Sequence, residues 1–181
     1  MIYLLLAAGF EECEALMPAD LLRRAGLTVK TVAVTAGPVT GSHGITVEAD
    51  IPASEANEPI ELLILPGGMP GTKNLDASPH VDKLIARAQA EGGRIAAICA
   101  APMILGKRGL LRGKEAVCYP GFESYLTGAR LSERRVVTDG NVTTAIGMGA
   151  AGEFGLELVA LLTSREEANE LAKAAMLPPL V

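Results

Sequence analysis

Short apolar runs alternate with helix-like segments from the first residues of the chain, and this alternation restricts the fold more than any other feature. The run Ile2–Ala8 has the length of a buried strand, Ala15–Ala25 has helical character, and Thr28–Val34 is again strand-like. The helical segment ends in LLRRAG, where basic residues and Gly26 are typical of a helix C-terminus. Pro18 would lie near its start, where a missing N–H is tolerated. The three segments predict a βαβ unit.

The same alternation continues through the rest of the chain. Further strands are predicted at Glu61–Leu65, Arg94–Ile98, Glu115–Cys118, Arg135–Thr138 and Val142–Ile146, and further helices at Val81–Ala90, Ala101–Lys107, Ala151–Leu162 and Arg165–Ala175. The Gly-, Pro- and Ser-rich stretch 36–57 predicts a small hairpin or edge strand, and Asp139-Gly140-Asn141 predicts a hairpin turn. Together these elements predict a single α/β domain over residues 1–181, a doubly wound sandwich with a mostly parallel central sheet.

Composition and charge exclude several classes of protein. A formal net charge of -5 without a Lys/Arg block argues against a nucleic-acid surface. No apolar run reaches the length of about 18 residues that a membrane helix needs. The first residues lack the positive segment of a signal peptide, so a cytoplasmic location is expected. Cys13, Cys99 and Cys118 show no CxxC spacing and are expected to be free thiols rather than metal ligands.

Three loops are candidates for a ligand site, because such sheets bind ligands beyond the carboxyl ends of their strands. They are Gly9–Glu14, Pro66–Gly71 and Cys99–Pro102. Cys99 lies where a strand meets a helix, so a sharp turn would expose the sulfur at the positive end of the helix dipole, which lowers a thiol pKa. The small neighbours Ala97, Ala100 and Ala101 suit such a crowded turn, and helix N–H groups there could also hold a developing oxyanion. The alternative is that Cys99 is a small buried hydrophobe, and position alone leaves both open.

The other two loops contain groups that could act on such a thiol. Glu11, Glu12 and Glu14 crowd the start of a helix, where carboxylates complement the helix dipole. One of them, buried beside a thiolate, would have a raised pKa, stay protonated and donate a hydrogen bond to the sulfur, but spacing does not choose among the three. Gly67-Gly68 would let backbone N–H groups approach an oxyanion closely, although a plain tight turn also explains the pair.

Histidine is scarce, which restricts the chemistry. The chain has only His43 and His80, both placed in segments where a solvated surface role is expected. A Cys–His–Asp triad needs an imidazole within hydrogen-bond reach of the sulfur. Such a triad is therefore not expected.

Four segments taken together resemble the ThiJ/PfpI superfamily, and within it the DJ-one branch in a form typical of bacterial members. They are AAGFEECEALMPADLLRRAG, LILPGGMPGTKNL, AAICAAP and TDGNVTTAIGMGAAGEFGLELVALL, and they cover nearly the whole chain in the right order. The resemblance implies a flavodoxin-like sandwich, usually a homodimer. It further implies that Cys99 is an oxidation-prone nucleophile, that Glu14 is the protonated glutamate, and that the amides of Gly68 and Ala100 line an oxyanion-hole-like pocket.

The activities that the resemblance implies need no metal or organic cofactor. They are glyoxalase conversion of methylglyoxal to lactate, a disputed deglycase activity on early glycation adducts, and redox-dependent chaperone or sensor behaviour. The leading expectation is an enzyme acting on small reactive α-dicarbonyls, and the second is a stress protein regulated by oxidation of Cys99.

Two departures from the family pattern limit what can be carried over. Many members have a histidine near the nucleophile where VCYPGF has Tyr119, so a base role for that histidine does not apply here. The protease-like branch has histidine directly after the cysteine, where this chain has Ala100. Peptidase and glutamine amidotransferase activities are therefore disfavoured.

Cys118 suggests a separate hypothesis. If its sulfur lay near Cys99, it could resolve a sulfenic acid on Cys99 into a disulfide. The alternative is a buried cysteine at a strand end.

Overall fold

The computed structural model describes residues 1–180, which fold into a three-layer α/β/α sandwich. The strands described there are β1 (Ile2–Leu6), β2 (Val29–Ala33), β3 (Val39–Thr40), β4 (Thr46–Val47), β5 (Ile51–Pro52), β6 (Leu62–Leu65), β7 (Arg94–Ile98), β8 (Glu115–Ala116), β9 (Arg130–Leu131), β10 (Val136–Asp139) and β11 (Val142–Ala145). The helices are α1 (Glu12–Arg24), α2 (Gly71–Asp76), α3 (Pro79–Ala90), α4 (Pro102–Lys107), α5 (Ala151–Leu162) and α6 (Arg165–Ala174).

The central sheet has seven strands in the order β10-β11-β7-β6-β1-β2-β5. All neighbours are parallel except β10 and β11, which form an antiparallel hairpin. The chain builds from β1 toward one edge, through β2 and β5, and then returns to β6 on the other side of β1. The strand order therefore reverses between β1 and β6, which is where doubly wound sheets bind ligands. The predicted flavodoxin-like architecture is confirmed.

The two faces of the sheet pack against different helices, which explains why its strands are apolar throughout. In β1, Tyr3 and Leu5 face a cluster with α2, α3 and α4, whereas Ile2, Leu4 and Leu6 face a cluster with α1, α5 and α6. All five side chains are buried. The core is therefore two mainly aliphatic layers, one on each face.

The first βα connection differs from the prediction at both ends. β1 ends at Leu6 because the N–H of Phe10 turns back to the carbonyl of Ala7 at 3.0 Å. The helix begins at Glu12, three residues early, because the Glu11 carboxylate caps it by accepting the N–H of Glu14 at 2.6 Å. The expectation that Pro18 lies near the helix start is wrong, since it lies in the interior, where its ring cannot supply the usual backbone hydrogen bond.

Two further segments depart from the predicted pattern. The loop after β6 leads directly into α2, a six-residue helix that its glycine start conceals in the sequence. The predicted strand 115–118 is only two residues long, and it pairs with β9 in a separate small sheet instead of joining the central one. The N–H of Val117 leaves that pairing and donates to Thr144 Oγ1 at 3.0 Å. The predicted hairpin in 36–57 is present as β3 and β4.

No helix within residues 1–180 combines the length and apolar character needed to cross a membrane.

Candidate active site

Cys99 follows β7 in a backbone conformation that few residues other than glycine adopt, with φ at 65°. Neighbouring strands hold it there: its N–H donates to the carbonyl of Ala145 at 2.9 Å, and its carbonyl accepts the N–H of Tyr119 at 2.8 Å. The sulfur receives hydrogen bonds from the backbone N–H groups of Gly68 and Ala100. The sharp turn predicted from the sequence is therefore present, and two donors converge on the half-buried thiol.

Glu14 is the carboxyl that faces this thiol. It lies in the first turn of α1, is 1% exposed, and hydrogen-bonds to Cys99. Its Oε2 accepts the N–H of Gly67 at 3.0 Å, and the N–H of Met148 also donates to it. Of the other two glutamates, Glu11 caps the helix and Glu12 turns toward the β3–β4 hairpin.

The paired glycines make room for this contact. A Cβ on Gly67 would lie 2.5 Å from Glu14 Oε2 and 2.6 Å from Cys99 Cβ. Gly68 has φ at 88°, and a Cβ there would lie 2.4 Å from the backbone nitrogen of Glu11. Any side chain at either position would separate the carboxyl from the thiol or push the loop away from α1.

Burial dominates the protonation behaviour of the pair. It raises the pKa of Glu14 to about 7, and the nearby charge of Glu11 adds to the effect. Burial also raises the pKa of Cys99 to about 12, followed by the charge of Glu14. The N–H groups of Gly68 and Ala100 act in the opposite direction but are outweighed. The expectation of a lowered thiol pKa is therefore wrong, because a buried anion beside a carboxylate is disfavoured.

The two groups titrate as a coupled pair, which has a chemical consequence. Near neutral pH the thiol keeps its proton while Glu14 is close to its own pKa. A thiolate then forms when the proton passes to Glu14, across a hydrogen bond that already exists. This arrangement would allow Glu14 to act as a general base toward Cys99.

Tyr119 borders the pocket. The point where a Cβ on Gly147 would lie is 3.3 Å from Tyr119 Cδ2, 3.8 Å from Cys99 Sγ and 3.8 Å from Glu14 Oε1. The tyrosine is 51% exposed, so its ring forms part of the rim rather than the floor.

The Cys118 backbone lies beside Cys99, since the N–H of the next residue, Tyr119, bonds to the Cys99 carbonyl, but the two side chains pack in different layers. Cys118 is buried in the cluster with α2, α3 and α4, whereas Cys99 packs against the cluster on the opposite face of the sheet. Burial, and then the charge of Glu123, raise the pKa of Cys118 to about 11. The two thiols pack in different layers, and the resolving role stays a hypothesis.

Sequence reasoning missed the partnership between Glu12 and His43. Glu12 is 4% exposed, and it accepts the N–H of His43 at 2.8 Å and pairs with its Nδ1 at 3.0 Å. Ligand atoms of Glu11, Glu12 and His43 all lie within 4.8 Å of one another. The residues are 31 positions apart, so no local spacing could have revealed the contact. His80, at the start of α3, is exposed as expected.

A separate cavity of about 1040 Å³ lies among α1, β10, α5 and the last described residues. Its lining includes Met17, Arg135, Leu156 and Leu180. Met148 also lines it, and the backbone of Met148 contacts Glu14 in the pocket of Cys99. Cys99 and Glu14 do not line this cavity. The candidate active site is therefore identified by the groups around Cys99 and not by the size of a cavity.

Comparison with known proteins finds relatives that match nearly the whole chain. Protein dj-1beta of Drosophila melanogaster is 35% identical over 176 residues, covering 95% of this chain and 94% of the relative. A Caenorhabditis elegans protein named glutathione-independent glyoxalase DJR-1.2 is 31% identical over 166 residues, covering 90% of this chain and 88% of the relative. The structure of oxidized DJ-1 from Toxoplasma gondii superposes with a TM-score of 0.93 at 35% identity, covering 97% of each chain.

The model of the DJ-1/PfpI family matches residues 1–161. A DJ-1 superfamily protein from Salmonella typhimurium, whose crystal structure is that of a mutant, has a TM-score of 0.92 at 35% identity, with 98% of each chain covered. The match includes α1 with Glu14, the turn at Cys99 and nearly all of α5. The chain therefore belongs to the DJ-1/PfpI family.

Proposed function

We propose that the protein is a cysteine-dependent enzyme of the glyoxalase type, acting without a cofactor on small reactive α-dicarbonyls or on early glycation adducts. The observation that carries this proposal is the convergence of the Glu14 carboxyl and the Gly68 and Ala100 amides on the Cys99 sulfur. The similarity to the Caenorhabditis elegans relative named a glyoxalase supports it.

The first step is addition of the thiol to the aldehyde carbon of the substrate. The S–C bond forms while the thiol proton passes to the Glu14 carboxylate. The carbonyl electron pair moves to oxygen, where the amides of Gly68 and Ala100 stabilise the developing charge. Glu14 then returns the proton to that oxygen, which gives a neutral hemithioacetal.

The second step moves hydrogen between the two carbons of the substrate. The freed Glu14 carboxylate takes the proton from the former aldehyde carbon, and the hydroxyl proton on that carbon passes to the ketone oxygen, which gives an enediolate. Glu14 then delivers its proton to the former ketone carbon as the thioester carbonyl forms. The aldehyde carbon is thereby oxidised and the ketone carbon reduced, so the balance needs no external oxidant. Water hydrolyses the resulting 2-hydroxyacyl thioester, which releases lactate when the substrate is methylglyoxal and restores the thiol.

Lactate formation from methylglyoxal by the purified protein tests the proposal. Cys99→Ala is expected to abolish turnover, and Glu14→Gln to lower kcat by about 10²- to 10⁴-fold. Cys13→Ser is the matched control, because Cys13 is an exposed cysteine whose replacement removes a thiol but leaves the pair intact. Turnover that survives Cys99→Ala would contradict the mechanism.

The second candidate function is a redox-sensing stress protein or chaperone regulated through the same thiol. Similarity to a Toxoplasma gondii DJ-1 solved in oxidized form favours it. Peroxide would convert Cys99 to a sulfinate, which a protonated Glu14 would hold by a hydrogen bond. Peroxide titration followed by intact mass tests this. Ready addition of two oxygen atoms at Cys99, together with no turnover of methylglyoxal, would favour the sensor over the enzyme.

Assembly as a homodimer and a cytoplasmic location are part of the same proposal. Family membership supports the dimer. Sedimentation of the purified chain tests it, and a monomer at micromolar concentration would contradict it.

A further inference from the structure

A cluster of charged side chains joins α2, α3 and α4 outside the pocket. Arg108, which directly follows α4, contacts Asp76 Oδ1 at 2.6 Å and the Asp76 carbonyl at 3.1 Å. The same guanidinium contacts Asp82 of α3 at 2.5 Å and its own helix at the carbonyl of Ile104, 3.0 Å away. Lys107 contacts the second oxygen of Asp76 at 2.6 Å.

The position of this cluster relates it to the pocket. Asp76 is the last residue of α2, which follows the loop that contains Gly68. Arg108 directly follows α4, which begins three residues after Cys99. Each helix has six residues, so each is a rigid rod about 9 Å long. The amides of Gly68 and Ala100 thus lie just before the N-termini of α2 and α4. The Asp76–Arg108 contact joins the C-termini of the same two helices.

Other contacts in the region attach the near ends of the two helices to the rest of the fold, but separately. The loop of Gly68 is attached to α1 and β1, for example through the N–H of Gly71 to the carbonyl of Gly9 at 3.0 Å. The start of α4 is attached to β7 and β11. The charged cluster is a direct link between the two helices themselves. Arg108 and Asp76 are also only 22% and 19% exposed, which limits screening by solvent.

We propose that Arg108 and Asp76 are positioning residues that set the separation of the Gly68 and Ala100 amides at the Cys99 sulfur. They touch neither thiol nor substrate and act only through α2 and α4. The effect on turnover rests on the proposed function, whereas the effect on thiol reactivity does not.

The test compares Arg108→Met with Arg87→Met in a Cys13→Ser background. Arg87 is the matched control, because it also joins a carboxylate, Glu91, to backbone carbonyls, and it lies on α3 away from the pocket. The rate of Cys99 alkylation by iodoacetamide is followed against pH by peptide mass. Because the two amides favour the thiolate, Arg108→Met is expected to slow alkylation of Cys99 across the profile, and Arg87→Met to leave the profile unchanged.

Turnover provides the second readout. Arg108→Met is expected to lower kcat about 10- to 100-fold with little change in KM, since a small misplacement of transition-state donors has that effect. Asp76→Asn should reproduce it, and the double variant should be no worse than either single one. Arg108→Lys, which cannot bridge both aspartates, should restore only part of the rate.

Failure of the inference is distinguishable from failure of the proposed function. If the folded Arg108→Met and Arg87→Met proteins have the same alkylation profile, the positioning role is wrong. If Arg108→Met does not fold, Asp76→Asn and Arg108→Lys decide the matter by the same measurement. An unmodified protein that does not turn over methylglyoxal contradicts the proposed function, while the alkylation profiles still test the positioning role.

Discussion

Cys99 and Glu14 are separated by 85 positions in the chain but share a hydrogen bond in the fold. Burial raises the pKa of both groups. It brings the carboxyl pKa to about 7, close to ordinary working pH, and the thiol pKa to about 12, so in the proposed mechanism the thiol depends on the carboxylate as its base. The proposed reactivity of the site therefore depends on both Cys99 and Glu14.

Glu14→Gln tests this dependence. In the unmodified protein the rate of Cys99 alkylation should rise as pH passes through about 7, where the Glu14 carboxylate becomes available as a base. The amide cannot accept the thiol proton, so the step near pH 7 should disappear. Iodoacetamide labelling across pH 5 to 9, within roughly two units of that pKa, measures both profiles. A step that persists in the variant would show that another group is the base.

Gly67→Ala tests the space between the two groups. The new methyl group would meet Glu14 Oε2 at 2.5 Å and Cys99 Cβ at 2.6 Å, so it should break the contact. We expect loss of turnover and a lower free energy of unfolding by about 1–3 kcal/mol. Gly149→Ala is the control, since the nearest atom to its Cβ lies at 4.0 Å. Kinetics and urea unfolding measure the two effects, and a fully active Gly67→Ala protein would refute the argument.

At the level of elements, Glu12 attaches the β3–β4 hairpin to α1. Burial alone would raise the pKa of Glu12, but hydrogen bonds from the imidazole and backbone of His43 and from Ile45 lower it to about 2. The carboxylate thus stays ionised over ordinary pH and holds the hairpin against the start of the helix that carries Glu14. The Glu12 side chain thus links the backbone of the hairpin to α1.

Glu12→Ala should loosen this hairpin. The backbone N–H groups of His43 and Ile45 would lose their acceptor, which costs about 1–3 kcal/mol where a polar group is left buried. Hydrogen exchange should become faster in residues 41–46 and stay unchanged in the central sheet. Glu48→Ala is the control, because Glu48 is an exposed glutamate just beyond the hairpin. Equal protection of the hairpin in both variants would contradict this role.

The elements themselves were predictable in proportion to their length and pattern. The long apolar strands and α5 follow from continuous burial, and their bounds were predicted within a few residues. The two-residue strand β8 and the six-residue helix α2 carry too little periodicity to be recognised locally. The positions of β8 and α2 are set by tertiary contacts and not by a local sequence pattern.

At the scale of the whole molecule, Glu14 makes stability depend on pH. The folded state holds its proton with a pKa of about 7 against an ordinary value of 4.5, so the protonated form favours folding. This contribution is complete below about pH 4.5 and is lost as pH rises through 7.

Comparison with Glu14→Gln isolates that contribution. The free energy of unfolding of the unmodified protein, relative to the variant, should fall between pH 4.5 and 8 by at most about 3 kcal/mol, the equivalent of the shift in pKa. Urea unfolding at several pH values measures the difference. A constant or rising difference would show that Glu14 is not held protonated by the fold.

The sequence by itself determined the alternation of elements, the parallel sheet, the elbow at Cys99 and the glycine pair, because each depends on local pattern or on a position at a strand end. Residue reasoning left Glu11, Glu12 and Glu14 as equal candidates, and only family resemblance separated them. The tertiary structure decided which carboxyl meets the thiol, because α1 rotates one helix face toward β6 and β7 and turns Glu12 to the hairpin. It also decided the direction of the thiol pKa, since burial is a property of the packed molecule and not of any segment.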